Sequence, residues 1–174
     1  MAQAIAKTLE PNGLLLGKKY SYEYNGHNVG TVPLRELAKK ALIIVRKNGT
    51  LLQNSALDEY ANICSNTMFM RSMRYSQVKY SHDLEELTHF NKQNMTIVLP
   101  DLEVTPDNPS APLAMEHGCQ LVGMCFQNLD PNLEYNSYFF DGYGSAFALN
   151  PAHLRYKPVS IEIAPDNPKD YSFK

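Results

Sequence analysis

Short apolar runs set off by turn residues recur along this chain. MTIVLP at residues 95–100, HGCQLVGMCFQ at 117–127 and AFALNP at 146–151 are each bounded by Pro, Gly, Asn or Asp. Runs of that length and punctuation predict buried strands, whereas a helix would need a longer 3.6-residue period. Between the last two, residues 131–140 predict a helix. Asp130 is its N-cap, Pro131 its first residue, and Gly142 lies just past its end. Strand, helix and strand in that order predict a parallel α/β arrangement.

The same reading extends upstream. Residues 2–9 place Ile5 and Leu9 on one helical face and stop at Pro11-Asn12-Gly13. Residues 14–16 form a brief apolar run suited to an edge strand. Tyr20, Tyr22 and Tyr24 alternate toward Asn25-Gly26, a hairpin signal. Residues 33–40 predict a helix with Pro33 first, and residues 41–45 a buried strand ended by Arg46-Lys47-Asn48-Gly49. Residues 50–81 carry little period; the methionines of 68–73 suit gap-filling core. Residues 81–94 predict a helix with Leu84, Leu87 and Phe90 or Asn91 on one side. Residues 101–112 form a loop punctuated by Pro106, Pro109 and Pro112, and residues 159–163 alternate as an edge strand or linker.

Composition narrows the function classes. The chain has 174 residues, 44% hydrophobic and 20% charged, with a net charge of −2. That balance suits a globular domain and supplies no basic field for nucleic acid. No apolar run approaches the roughly 18 residues of a membrane span, and residues 1–13 lack the apolar core of a signal peptide, so a cytoplasmic location is expected. Cys64, Cys119 and Cys125 are then expected as buried free thiols, and the sequons at Asn48 and Asn94 as unused.

From residue 90 to residue 155 the text reads FNKQNMTIVLPDLEVTPDNPSAPLAMEHGCQLVGMCFQNLD and closes with DGYGSAFALNPAHLR. This resembles the Y half of the catalytic barrel of eukaryotic phosphoinositide-specific phospholipase C, whose pattern includes RIYPKG, GCQMVALNFQ and a GYVLKPxxLR close. VPLRELAKKALIIVRKNG at residues 32–49 is similar to the last strand of that family's X half. The resemblance implies half of a (β/α)8 TIM barrel. Residues 1–50 would be the end of the X-like half, 51–155 the Y-like half, and 156–174 a linker or tail. The family's long linker between halves would be reduced to residues 48–57. A closed barrel of eight strands typically takes about 250 residues, so the resemblance implies a partner, an X-half polypeptide or segment.

The resemblance also names positions. It places headgroup-phosphate contacts at Arg46 and Lys47, at the end of the 41–45 strand. The family's Ser-Ser pair falls on Pro106 and Asp107, with Ser110 nearby but out of register. Its closing-strand Arg and Tyr correspond to Gly144-Ser145 and Phe147, which keep an aromatic face and lose the cation. The substrate-binding candidates are therefore Arg46, Lys47, Asp107, Ser145 and Phe147. Catalytic histidines and Ca2+ ligands come from the family's X half, so neither catalytic nor metal-binding residues are expected in this chain. His27, His82, His89, His117 and His153 read as surface or capping residues.

Two functions from different classes follow. In one, the chain completes a phosphoinositide phospholipase C-like barrel and lines its headgroup pocket. The barrel, peripherally associated with a membrane, would cleave the lipid to diacylglycerol and inositol phosphate by attack of the inositol 2-hydroxyl. In the other, the chain is a catalytically inactive phospholipase C-like binding or scaffold module, as the altered Ser-Ser, Arg and Tyr positions favour. An unrelated α/β binding protein is a further reading.

Overall fold

The computed structural model describes residues 2–16, 20, 29–46, 55 and 58–160. The tyrosine hairpin, Lys47, His27, most of the 48–57 segment and the end of the 159–163 run lie outside the described residues. The chain is a mixed α/β structure with parallel strands in two small sheets. Helix α1 (Ala2–Leu9) is followed by an isolated parallel bridge between Leu15 and Ala41. Strand β1 (Ile44–Val45) then pairs parallel with β2 (Ile63–Cys64).

The larger sheet has the order β3-β4-β5-β6, with β3 at Asn66–Thr67, β4 at Met70–Arg74, β5 at Met95–Leu99 and β6 at Leu121–Val122. The β3-β4 pair is antiparallel; β4-β5 and β5-β6 are parallel. Helices α2 (Tyr75–Lys79) and α3 (Leu84–Asn91) connect β4 to β5, and α4 (Ala111–Glu116) connects β5 to β6. Helix α5 (Pro131–Tyr143) follows.

Side-chain alternation gives the sheet two faces. On one, Val98, Met73 and Val122 pack with Val78 of α2, Leu87 and Leu84 of α3, Ala114 of α4 and Cys119. On the other, Met70, Met95, Ile97 and Leu121 meet Ile63, Ile44, Val29, Leu37 and Leu42. The helices joining β4, β5 and β6 thus supply residues to one face, while the opposite face packs against the N-terminal half of the chain.

Local signals explain where elements stop. Asp83 caps α3 by accepting from Glu86 N at 2.7 Å, so the helix starts three residues later than residue 81. Asp130 caps α5 by accepting from Leu133 N at 2.9 Å, and Pro131 is its first residue. The helix runs through Gly142 and ends instead at Gly144, whose φ of 59° supplies the left-handed turn.

Four expectations are corrected. Residues 33–40 make only a single tight turn, Leu34–Glu36, because Lys39 takes a φ of 60°, which no helix continues. The run at 121–126 contributes only Leu121–Val122; Gly123 N still reaches Val98 O at 2.8 Å, after which the chain turns. Residues 146–149 form no strand: Phe147 and Leu149 are exposed, and no neighbouring backbone pairs with them among the described residues. The strands lie in two sheets rather than the one wall that half a barrel implies, and one sheet holds an antiparallel hairpin absent from the sequence reading.

Candidate functional site at the strand carboxyl ends

In parallel α/β folds, ligands collect beyond the carboxyl ends of the strands. At β4 this end is Arg74, and at β5 it is Leu99-Pro100-Asp101. Arg74 bends over the neighbouring strand, its Nη1 donating to Pro100 O at 2.7 Å, while its backbone N donates to Gln77 Oε1 at 2.6 Å. The Asp101 carboxylate faces α2 instead, accepting from Ser76 N at 3.1 Å and Ser76 Oγ at 2.7 Å. Asp101 therefore fixes the first turn of α2 to the end of β5, and Arg74 has no carboxylate partner among the described residues.

Above β5 and β6 the loops are joined by Asn108, which is 2% exposed. Its Oδ1 accepts from Cys125 N at 2.6 Å, and its Nδ2 donates to Asn128 O at 2.8 Å and Cys125 O at 3.4 Å. Its backbone N donates to Asp130 Oδ2 at 3.0 Å, and its carbonyl accepts from Asn132 Nδ2 at 2.9 Å. The Leu133 N–H, and then Asn108, hold the Asp130 carboxyl below its ordinary range. One buried amide thus ties the 101–110 loop to the start of α5.

The opposite end of the sheet is built for packing. Asn91 Nδ2 donates to His117 O at 2.8 Å, and its Oδ1 accepts from Thr96 Oγ1 at 2.6 Å. The His117 ring lies 3.3 Å from Thr88 Oγ1, which makes this histidine part of the helix-to-loop brace. Arg71 grips Glu86 through two hydrogen bonds of 2.8 and 2.7 Å and lies over the Phe90 ring at 3.8 Å, tying β4 to α3.

The positions named by the resemblance are not gathered by contacts. Arg46 is exposed at the end of β1, and Lys47 lies outside the described residues. Asp107 is exposed beside buried Asn108. Ser145 Oγ accepts from Phe147 N at 3.1 Å, which joins those two, and Phe147 is 69% exposed. Sequence reading missed Arg74, Asp101 and Asn108. The available signal was position, since Arg74 ends β4 and Asp101 lies two residues past the end of β5, but β4 was hidden in the methionine-rich stretch. Among the described residues no three His, Cys, Asp or Glu side chains gather as a metal site. No described helix is long and apolar enough to cross a membrane. Comparison with family models, curated proteins and solved structures found no match to this chain.

Proposed function

We propose that this chain is the Y-like portion of a phosphoinositide phospholipase C-like barrel, contributing the headgroup side of a pocket completed by an X-half polypeptide. The observation that supports this most is the order of the strands. β4, β5 and β6 are parallel, adjacent in chain order and joined by helices that pack on one face. A barrel wall has that singly wound order, whereas a doubly wound sheet reverses at a switch point. The quoted GCQLV text falls on β6 and its approach, and TIVLP on β5 and the residue after it.

In this reading the chain binds and orients, and acid–base chemistry and calcium come from the partner half. A second reading, a binding or scaffold module without hydrolysis, is favoured by one feature. The exposed Asp107 carboxylate stands where the family has a hydroxyl, and a carboxylate repels phosphate. The test is to mix the purified chain with an X-half polypeptide and measure complex mass and inositol phosphate release. A complex that releases inositol phosphate supports the first reading; a complex that binds headgroup without cleavage supports the second. Failure to associate would overturn the barrel assignment.

A further inference from the structure

We infer that the outer face of α5 is a docking socket for an arginine of a partner polypeptide, centred on Tyr138 between Glu134 and Asp141. The molecule itself supplies the pattern. On α3, Glu86 and Phe90 stand four positions apart, neighbours on one helix face. Together they hold Arg71 of β4: the carboxylate accepts two hydrogen bonds of 2.8 and 2.7 Å, and the guanidinium carbon lies 3.8 Å from the ring centre. On α5, Glu134 and Tyr138 have the same spacing in the same order. Tyr138 is 80% exposed and Glu134 is exposed, and among the described residues no cation lies over that ring or against that carboxylate.

Asp141 extends the socket. It is exposed, three positions beyond Tyr138 and so one turn along the same face. Glu134 lies in the first turn of α5, where the helix dipole favours a carboxylate; Asp141 lies in the last turn, where the dipole opposes one and no basic residue offsets it. A docked cation would relieve both the carboxylate and the helix end. The charge spread along the chain selects the partner. All sixteen Lys and Arg lie outside residues 93–154, a stretch that holds seven of the eighteen carboxylates and the whole of α5. This face therefore draws a cationic segment and repels an anionic membrane or nucleic acid. A guanidinium fits better than an ammonium, because a flat cation can lie on the ring while its edge pairs with a carboxylate on either side. The socket uses none of the residues assigned to the headgroup side and stands whether or not a barrel forms.

The experiment measures binding of a fluorescent peptide of alternating Arg and Gly to the full chain, beside its Lys counterpart and vesicles of anionic lipid. Tyr138→Ala should weaken binding of the Arg peptide by about two- to fivefold, and Tyr138→Phe should keep it. Glu134→Gln should weaken it by up to about fivefold, and Glu103→Gln, at an exposed loop carboxylate, should leave it unchanged. Asp141→Asn should weaken peptide binding yet raise the urea midpoint of the free chain, two effects of opposite sign that a purely structural carboxylate would not give. If the parent fails to bind the Arg peptide, or binds it as Tyr138→Ala and Glu134→Gln do, the inference is overturned. Equal affinity for the Lys peptide with no effect of Tyr138→Ala would mean attraction by charge alone and overturn it too. Vesicle binding that Tyr138→Ala abolishes would assign the face to a membrane instead. Self-association that Tyr138→Ala abolishes would make a second copy the occupant, against the assignment to another polypeptide.

Discussion

Replacing Asn108 by Ala should cost roughly 2–4 kcal/mol of stability, and the structure shows where the loss arises. The substitution removes three hydrogen bonds: one accepted from Cys125 N at 2.6 Å, and two donated, to Asn128 O at 2.8 Å and Cys125 O at 3.4 Å. The amide is 2% exposed, so water cannot easily replace it. A buried donor left without a partner costs about 1–3 kcal/mol, and a carbonyl left with fewer partners somewhat less. Asn108→Asp has nearly the same shape but aims an oxygen at the Asn128 carbonyl, so it should be worse than Ala near neutral pH. That carboxyl would have its pKa raised by burial against carbonyl oxygens. Its destabilisation should therefore grow as pH rises through the unfolded value toward the raised folded one, and relax on acidification. The assay is urea unfolding of the full chain, with hydrogen exchange at the Cys125 amide locating the effect. A change below about 0.5 kcal/mol for Asn108→Ala, within the range of an ordinary surface substitution, would refute the clamp.

The thiols should resist labelling in the native protein: Cys64, Cys119 and Cys125 are all buried, and burial pushes the Cys119 thiol up to about 11. Rapid reaction of Cys119 with a disulfide reagent near pH 8 would contradict that placement. The Asp130 carboxylate, lowered by the Leu133 N–H and then by Asn108, should add stability above its unfolded pKa and lose it as pH falls through the lower folded value. Asp130→Asn should flatten that acid limb of the stability profile, and an unchanged limb would exclude Asp130 as its source. Leu87→Ala, at a side chain 1% exposed in the helix-face cluster, should cost about 2–5 kcal/mol, and half-buried Leu121→Ala less; equal costs in denaturant unfolding would invalidate the burial difference.

Elements that carry their own local signal were legible in the sequence. β5 is one, because Thr96, Ile97 and Val98 are β-branched and bounded by Asn94 and Pro100. Helices α1, α3 and α5 are others, each with a recognisable start or face. β4 was not legible, since two of the five residues in Met-Arg-Ser-Met-Arg are cationic. Its Arg71 is accommodated by Glu86, fifteen positions away in the chain. The run at 146–149 misled for the opposite reason: its residues are apolar, but a strand also needs a neighbour to pair with. The site followed the same division. Arg46, Asp107, Ser145 and Phe147 were named only through the resemblance, and the structure joins just Ser145 and Phe147, whereas Asn108 depends on Cys125, Asn128, Asp130 and Asn132, all remote in sequence.

The proposed barrel accounts for two features that are costly when taken alone. β6 has β5 on one side, and among the described residues no strand lies on the other. After it, Phe126 and Leu129 on the way to α5, Tyr138 on the helix, and Phe147 and Leu149 beyond it are all exposed. An open edge invites pairing with another chain, and large apolar side chains in water gain from being covered. A polypeptide adding a strand beside β6 would pair the edge, and its surface could cover these side chains. The same addition would bring further strand ends up beside the carboxyl ends of β4 and β5, so the proposed headgroup side and the edge have a common cause in this reading. Hydrogen exchange can separate them: a partner on the β6 edge should protect amides at residues 121–126 and 146–149 together. Inositol trisphosphate alone should protect the region around Arg74 and Asp101 and leave the edge open. Protection of the edge by the small ligand alone would break that link, because a soluble headgroup has no strand to add.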